Sequence, residues 1–180
     1  INVSRMYKGF DNICFTKVDD DKGFLSLYSK YSETPVLRVG FEKTRPNDFD
    51  ASFYDCAQIP FSERWDSWDL ERDDEQEKKM IEEFDVTGDY IFVHDSSSVD
   101  KYNLNIDSDL PQIRPEKLSS EKSMFDWLGV IENAKEIHCV NSSFIHLVNS
   151  YNFNNKKYYH TINQNGLGFS LKADWEIVNY

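Results

Sequence analysis

A chain of 180 residues with 39% hydrophobic and 15% aromatic content has the composition of one globular core, or two small ones, and not that of a disordered polymer. Its net charge of −12 repels a polyanion, and without a local basic stripe nucleic acid is excluded as the main partner. No apolar run reaches the roughly 20 residues of a bilayer span, and no CxxC or HxxxH pair offers metal-ligand spacing, so no metal or cofactor is expected.

The opening INVSRMYKGF has no signal-peptide apolar core. Three widely spaced cysteines, Cys14, Cys56 and Cys139, set among apolar residues, read as buried reduced thiols, so the expected location is cytoplasmic. Gly9-Phe10-Asp11-Asn12 reads as a turn, followed by a strand over 13–18 (ICFTKV). Asp19, Asp20 and Asp21 then open a helix with Phe24, Leu25, Leu27, Tyr28 and Tyr31 on its apolar face; the alternating oxygens, central Gly and closing Glu of a calcium loop are missing. Pro35 introduces a second strand over 36–41 (VLRVGF).

From 49 to 68 the sequence is dense in aromatics, among them Phe53, Tyr54, Phe61, Trp65 and Trp68, and Pro60 splits the stretch into two short helices. Such density marks a core or a subdomain contact, with a base- or sugar-stacking platform as the alternative, and it is where a homodimer contact is to be sought. The segment 72–84 (RDDEQEKKMIEEF) predicts a helix, acidic at its start, with Met80, Ile81 and Phe84 for burial.

A buried strand over 90–93 (YIFV) runs into His94-Asp95-Ser96-Ser97-Ser98. A short strand or hairpin over 102–106 precedes Gln112-Ile113-Arg114-Pro115-Glu116, where the planar fork of Arg114 suits either a surface carboxylate or a phosphate. The next helix, over 123–133, buries Met124, Trp127, Leu128 and Ile131. Ile137, Cys139 and Val140 make an apolar run too short for a helix, which reads as an enclosed parallel strand. Asn141, Ser142 and Ser143 form a turn, and Phe144, Ile145, Leu147 and Val148 recur at helical spacing. Late strands over 157–162 and 175–178 are separated by a loop whose Gly166 and Gly168 give only a partial phosphate-loop pattern.

This alternation predicts an α/β fold with a Rossmann-like, mostly parallel sheet flanked by helices. Its two portions are a shortened α/β part over 1–84 and a Rossmann-like part over 85–180, or one continuous domain. The carboxyl ends of parallel strands line one crevice, which brings His94 and the serine turn beginning at Ser96 toward Ser142 and Ser143. The amide groups and positive dipole end of the late helix favour an anion there, of which phosphate is the simplest. His146 follows Ser142 by four residues and Ser143 by three, so the three side chains share a helical face. Plain N-capping is the commoner role for such serines, and a packed or partly exposed structural residue the commoner role for a histidine placed as His146 is.

The series Phe53-Tyr54, Pro60-Phe61, Arg64-Trp65, Arg72-Asp73 with Glu75, then 90–95 (YIFVHD) and 134–147, resembles the back half of GT-B-type glycosyltransferases, nearest the heptosyltransferase and fucosyltransferase branches. In those enzymes a strand–turn–helix of the form N/D-S-S/G-x-x-H faces a sugar-nucleotide diphosphate. The matching segment here is Asn141-Ser142-Ser143-Phe144-Ile145-His146, and His160 and Trp175 are similar to the group's C-terminal pattern. The resemblance implies a shortened GT-B fold, a nucleotide-sugar donor, an unidentified hydroxyl acceptor and metal-independent transfer. It assigns Asn141, Ser142, Ser143 and His146 to the nucleotide-sugar and its phosphates, with Arg114 stabilising the departing diphosphate and Asp11 as catalytic base; the strand-end geometry adds His94 and Ser96 to the phosphate-binding set. Two features depart from the family: too few residues precede Phe49 for a complete acceptor domain, and Gly9-Phe10-Asp11-Asn12 is one glycine short of the family's Gly-x-Gly-Asp loop. The alternative function is a noncatalytic binding or assembly module on a degenerate glycosyltransferase fold.

Overall fold

The structure is a computed structural model that describes residues 7, 10–16, 21–35, 37, 39, 41–115, 122–163 and 168–180. Its centre is a five-stranded, all-parallel sheet: β1 (Ile91–His94), β2 (Gln112–Ile113), β3 (Glu136–Val140), β4 (Lys156–His160) and β5 (Trp175–Val178), in the order β2-β1-β3-β4-β5. The described α-helices are α1 (Asp21–Lys30), α2 (Phe49–Ala57), α3 (Glu63–Asp66), α4 (Asp74–Glu83), α5 (Leu128–Glu132) and α6 (Ser143–Ser150), of which α4, α5 and α6 flank the sheet. The fold is α/β and Rossmann-like.

The order reverses between β1 and β3, since β1 connects to one side of the sheet and every later strand is added on the other. Right-handed crossovers then put the β1–β2 connection on the opposite face from those that follow. Burial agrees. On one face Phe92, Ile137, Cys139, Tyr159 and Trp175 pack with Met80 of α4, Leu128 and Ile131 of α5, and Phe144, Ile145 and Val148 of α6. On the other, Ile91, Val93 and Val140 are covered by Leu104, Ile106 and Leu110, which belong to a strap over 95–111.

Local chemistry sets the helix ends that carry this core. Asp73 caps α4 by accepting from the backbone N–H of Gln76 at 3.2 Å. A capping box of Ser123 and Asp126 opens the 3-10 helix Met124–Trp127, which leads into α5. Arg72 forks onto Glu77 of α4 and reaches Glu132 of α5 at 2.7 Å, joining the two helices. Pro60 divides the aromatic stretch into α2 and α3, as its ring and missing N–H require.

Several expected elements do not form. The described residues 13–16 are in no strand, nor are 37 and 39, and Phe41 starts a 3-10 helix. The remaining residues of those two segments, with Gly9, Asp19, Asp20, Glu116 and Gly166, lie outside the described residues. Ile13, Phe15, Leu37 and Val39 all face solvent, and among the described residues no strand pairs with them. The segment 102–106 is coil within the strap, and the pairing falls on Gln112 and Ile113. Of the three thiols all are free, but only Cys139 is buried; Cys14 is exposed and Cys56 half-buried. Among the described residues no helix is long and apolar enough to cross a membrane.

Candidate functional site

The reversal between β1 and β3 brings His94, at the end of β1, beside the turn that follows β3. His94 pairs in register with Cys139, so Asn141 and Ser142 emerge just past it at the carboxyl rim of the sheet. Ser142 has extended backbone and is the N-cap residue of α6, yet its side chain makes no cap hydrogen bond. Its hydroxyl lies 2.9 Å from His94 Nδ1 instead. Asn141 is half-buried and Ser143 exposed beside this pair. The His94 ring also packs on Phe144, with centroids 4.3 Å apart.

Burial pushes His94 down to about 4, with the Asp95 carboxylate opposing, so at neutral pH its imidazole is uncharged. A neutral ring holds one proton and one lone pair, and either Ser142 donates to Nδ1 or Nδ1–H donates to Ser142. The second state turns the Ser142 proton outward. The pair can therefore present either a hydroxyl donor or an acceptor at the rim.

On the β2 side Arg114 donates to the carboxylate of Asp95 and to the side-chain oxygen of Gln112. Of the two functions the sequence allows for Arg114, the carboxylate contact is the one formed, and a phosphate must compete with Asp95 for it. Ser96 begins a tight hairpin: it bridges to Lys101, Ser97 N–H donates to Asp100 O at 2.8 Å, and Tyr102 N–H donates to Asp95 O at 2.7 Å.

On the other side of α6, His146 turns to different partners. Its Nδ1 is 3.1 Å from Arg64 Nη2, and Arg64 also forms an ion pair with Asp50. Asp50 accepts from the backbone N–H groups of Ala51 at 2.9 Å and Ser170 at 2.8 Å. Phe169 meets the His146 ring edge-on at 4.9 Å. Burial, then the Arg64 charge, lowers His146 to about 4 against the opposing pull of Asp50. Because guanidinium only donates, His146 Nδ1 is an acceptor and the ring proton sits on Nε2.

The structure thus brings His94 to Ser142 and Asp95 to Arg114, and it directs His146 toward Arg64. Among the described residues no hydrogen bond, ion pair or ring contact links Asp11 to any of them; Asp11 is exposed, in a turn where Ile13 N–H donates to Phe10 O. Asp50 and Ser170 were not legible as members of this cluster, since neither carries a local motif and Ser170 contributes only its backbone. Comparison with protein-family models, curated proteins and solved structures finds no match to this chain.

Proposed function

We propose that the chain binds a nucleotide-sugar at the rim between β1 and β3 and transfers the sugar to a hydroxyl acceptor, as a GT-B-type glycosyltransferase-like protein. One observation carries this reading: the Ser142 hydroxyl reaches across the chain reversal to His94 and does not cap its own helix. The opening amides of α6 thereby keep their affinity for an outside oxygen anion, beside the exposed Ser143, at the place where open parallel sheets take ligands. A diphosphate suits such a donor set, and fixed amide dipoles stabilise it as a leaving group without a metal.

The alternative, a noncatalytic binding module, is favoured by the lack of any described contact between Asp11 and the rim. Thermal denaturation with GDP-, UDP-, ADP- and dTDP-sugars tests binding. A ligand at about 100 times its Kd stabilises the native state by about 2.7 kcal/mol, and Ser143→Ala with Arg114→Ala is expected to weaken the shift. If none of these donors raises Tm, the nucleotide-sugar reading falls. A stabilising donor that is never consumed with any hydroxyl acceptor, nor hydrolysed, leaves the binding module.

A further inference from the structure

On the face of the sheet away from α6, side chains from β3 and β4 form a hydrogen-bonded file with Tyr180, two residues past β5. Glu136 Oε2 is 3.3 Å from His138 Nε2, and His138 Nδ1 is 2.9 Å from His160 Nε2. His160 Nδ1 is 2.8 Å from the Tyr180 hydroxyl, which also accepts from the backbone N–H of Asn105 at 2.8 Å. His138 and His160 are only 5% and 1% exposed, so their nitrogens depend on the file for partners.

With an ionised Glu136 and neutral rings, a single arrangement satisfies every member. A carboxylate accepts only, which places the His138 proton on Nε2 and a lone pair on Nδ1. His160 must then donate from Nε2, and its Nδ1 accepts the Tyr180 proton. The hydrogen bonds all run one way, from the Asn105 amide to Glu136.

We propose that this file is an acid-sensitive latch, which holds Tyr180 and the 95–111 strap to the sheet, absorbs one proton by reversing its polarity, and opens on the second. The first proton is relayed along the file: His160 passes its Nε2 proton to His138 Nδ1, the Tyr180 hydroxyl passes its proton to His160 Nδ1, and Tyr180 takes one from hydronium, so that His138 Nδ1–H now donates to His160 Nε2. The net uptake is one proton, every contact survives, and Tyr180 accepts from both His160 and Asn105. A second proton sets N–H against N–H between the rings; their bond breaks, and repulsion between two buried imidazoliums swings the His160 ring out of the file, taking its Nδ1 from the Tyr180 hydroxyl and freeing Tyr180 and Asn105 from the sheet.

The groups around the file set its response. Glu136 of β3 favours the first proton, whereas burial and the Arg114 guanidinium beyond β2 oppose it. Burial and the facing His138 ring oppose charge on His160. Tyr158 of β4 stacks on His138 at 4.6 Å and lies in the field of Glu136 and of Glu176 from β5. The strap begins one residue after His94 and ends just before Gln112, the partner of Arg114. An opened latch therefore loosens both sides of the rim, a consequence for ligand affinity that rests on the proposed nucleotide-sugar site.

Nitrogen-15 NMR of the imidazoles, combined with amide exchange at Asn105, tests the latch without any ligand. At neutral pH both His138 and His160 are expected as Nε2–H tautomers. Acidification should proceed in two steps, with Asn105 protected through the first and exchanging after the second. Tyr180→Phe changes a half-exposed ring and removes only the hydroxyl; it should expose the Asn105 amide at neutral pH while the sheet amides stay protected. An Nδ1–H tautomer in either ring, independent titration of the two near the ordinary histidine value, or unchanged Asn105 protection in Tyr180→Phe would overturn the proposal. A latch that behaves as stated in a protein that binds none of the four nucleotide-sugars at neutral pH stands alone, and the proposed function then fails separately.

Discussion

Arg64 and His146 are 82 positions apart in the chain and meet at 3.1 Å, joining the aromatic segment to the first turns of α6. The contact is buried: the Arg64 side chain is 9% and its Asp50 partner 13% exposed. Removing one charge of such a pair strands the other in a poor solvent, which costs about 3–5 kcal/mol. Asp50→Asn is therefore expected to lower the urea midpoint strongly, and Arg64→Met with Asp50→Leu together should recover part of the loss. A midpoint unchanged in Asp50→Asn would show that the guanidinium is solvated.

The histidines make folding proton-linked. All four have their proton affinity lowered, with burial the first cause in each: His94, His146 and His160 to about 4, and His138 in the same direction. For a base whose folded value lies below its unfolded value of about 6.5, the unfolded chain takes up protons first. The histidine contribution should be constant above about pH 7 and fall as pH drops from 6.5 toward 4, by up to about 1.4 kcal/mol per pH unit for each ring that stays neutral. Urea denaturation at stepped pH checks this, and a flat midpoint down to pH 5 would contradict it.

The sheet was readable where its strands are enclosed. The runs at 90–93 and 137–140 are mostly apolar over lengths that suit buried strands, and the structure places β1 and β3 there; β5 forms over 175–178 although Glu176 and Ile177 are exposed. The same reasoning fails at 13–18 and 36–41, since an apolar run forms a strand only beside another strand, and none pairs with the described residues there. Within the site, strand ends predicted that His94 would approach Ser142. What pattern could not tell is which way a hydroxyl turns: capping and the His94 contact use the same Ser142, and a difference of about 1 kcal/mol decides between them.

Gly168 marks a second place where the N-terminal part closes on the sheet. Its N–H donates to Pro46 O at 2.6 Å, its carbonyl accepts from Phe49 N–H at 2.9 Å, and an added Cβ would lie 2.0 Å from Asn47 O. Backbone cannot swing aside as a flexible side chain does, so Gly168→Ala should destabilise by at least the 1–3 kcal/mol typical of overpacking, about 2 kcal/mol or more. The shift should also carry Ser170 away from Asp50, and the His146 ring resonances should move with it. A variant of unchanged Tm and unchanged His146 shifts would mean that this crossing is loose.

The Arg72 bridge predicts an asymmetry between its two carboxylates. Glu77 is 7% exposed and takes both a 2.9 Å bond from Nε and a 2.5 Å bond from Nη2, whereas Glu132 is 49% exposed with one contact at 2.7 Å. A charged hydrogen bond in the protected position is worth more than the exposed one, which water screens. Gly129 of α5 packs its backbone so close that an added Cβ would sit 3.1 Å from Glu77 Oε2, so truncation at Glu77 also leaves a gap between α4 and α5. Glu77→Ala should cost about 2–3 kcal/mol, and Glu132→Ala no more than about 1 kcal/mol. Denaturation in urea with and without 1 M sodium chloride separates them: salt should erase the Glu132 effect and leave most of the Glu77 effect, and equal losses for the two variants would rule out a buried fork.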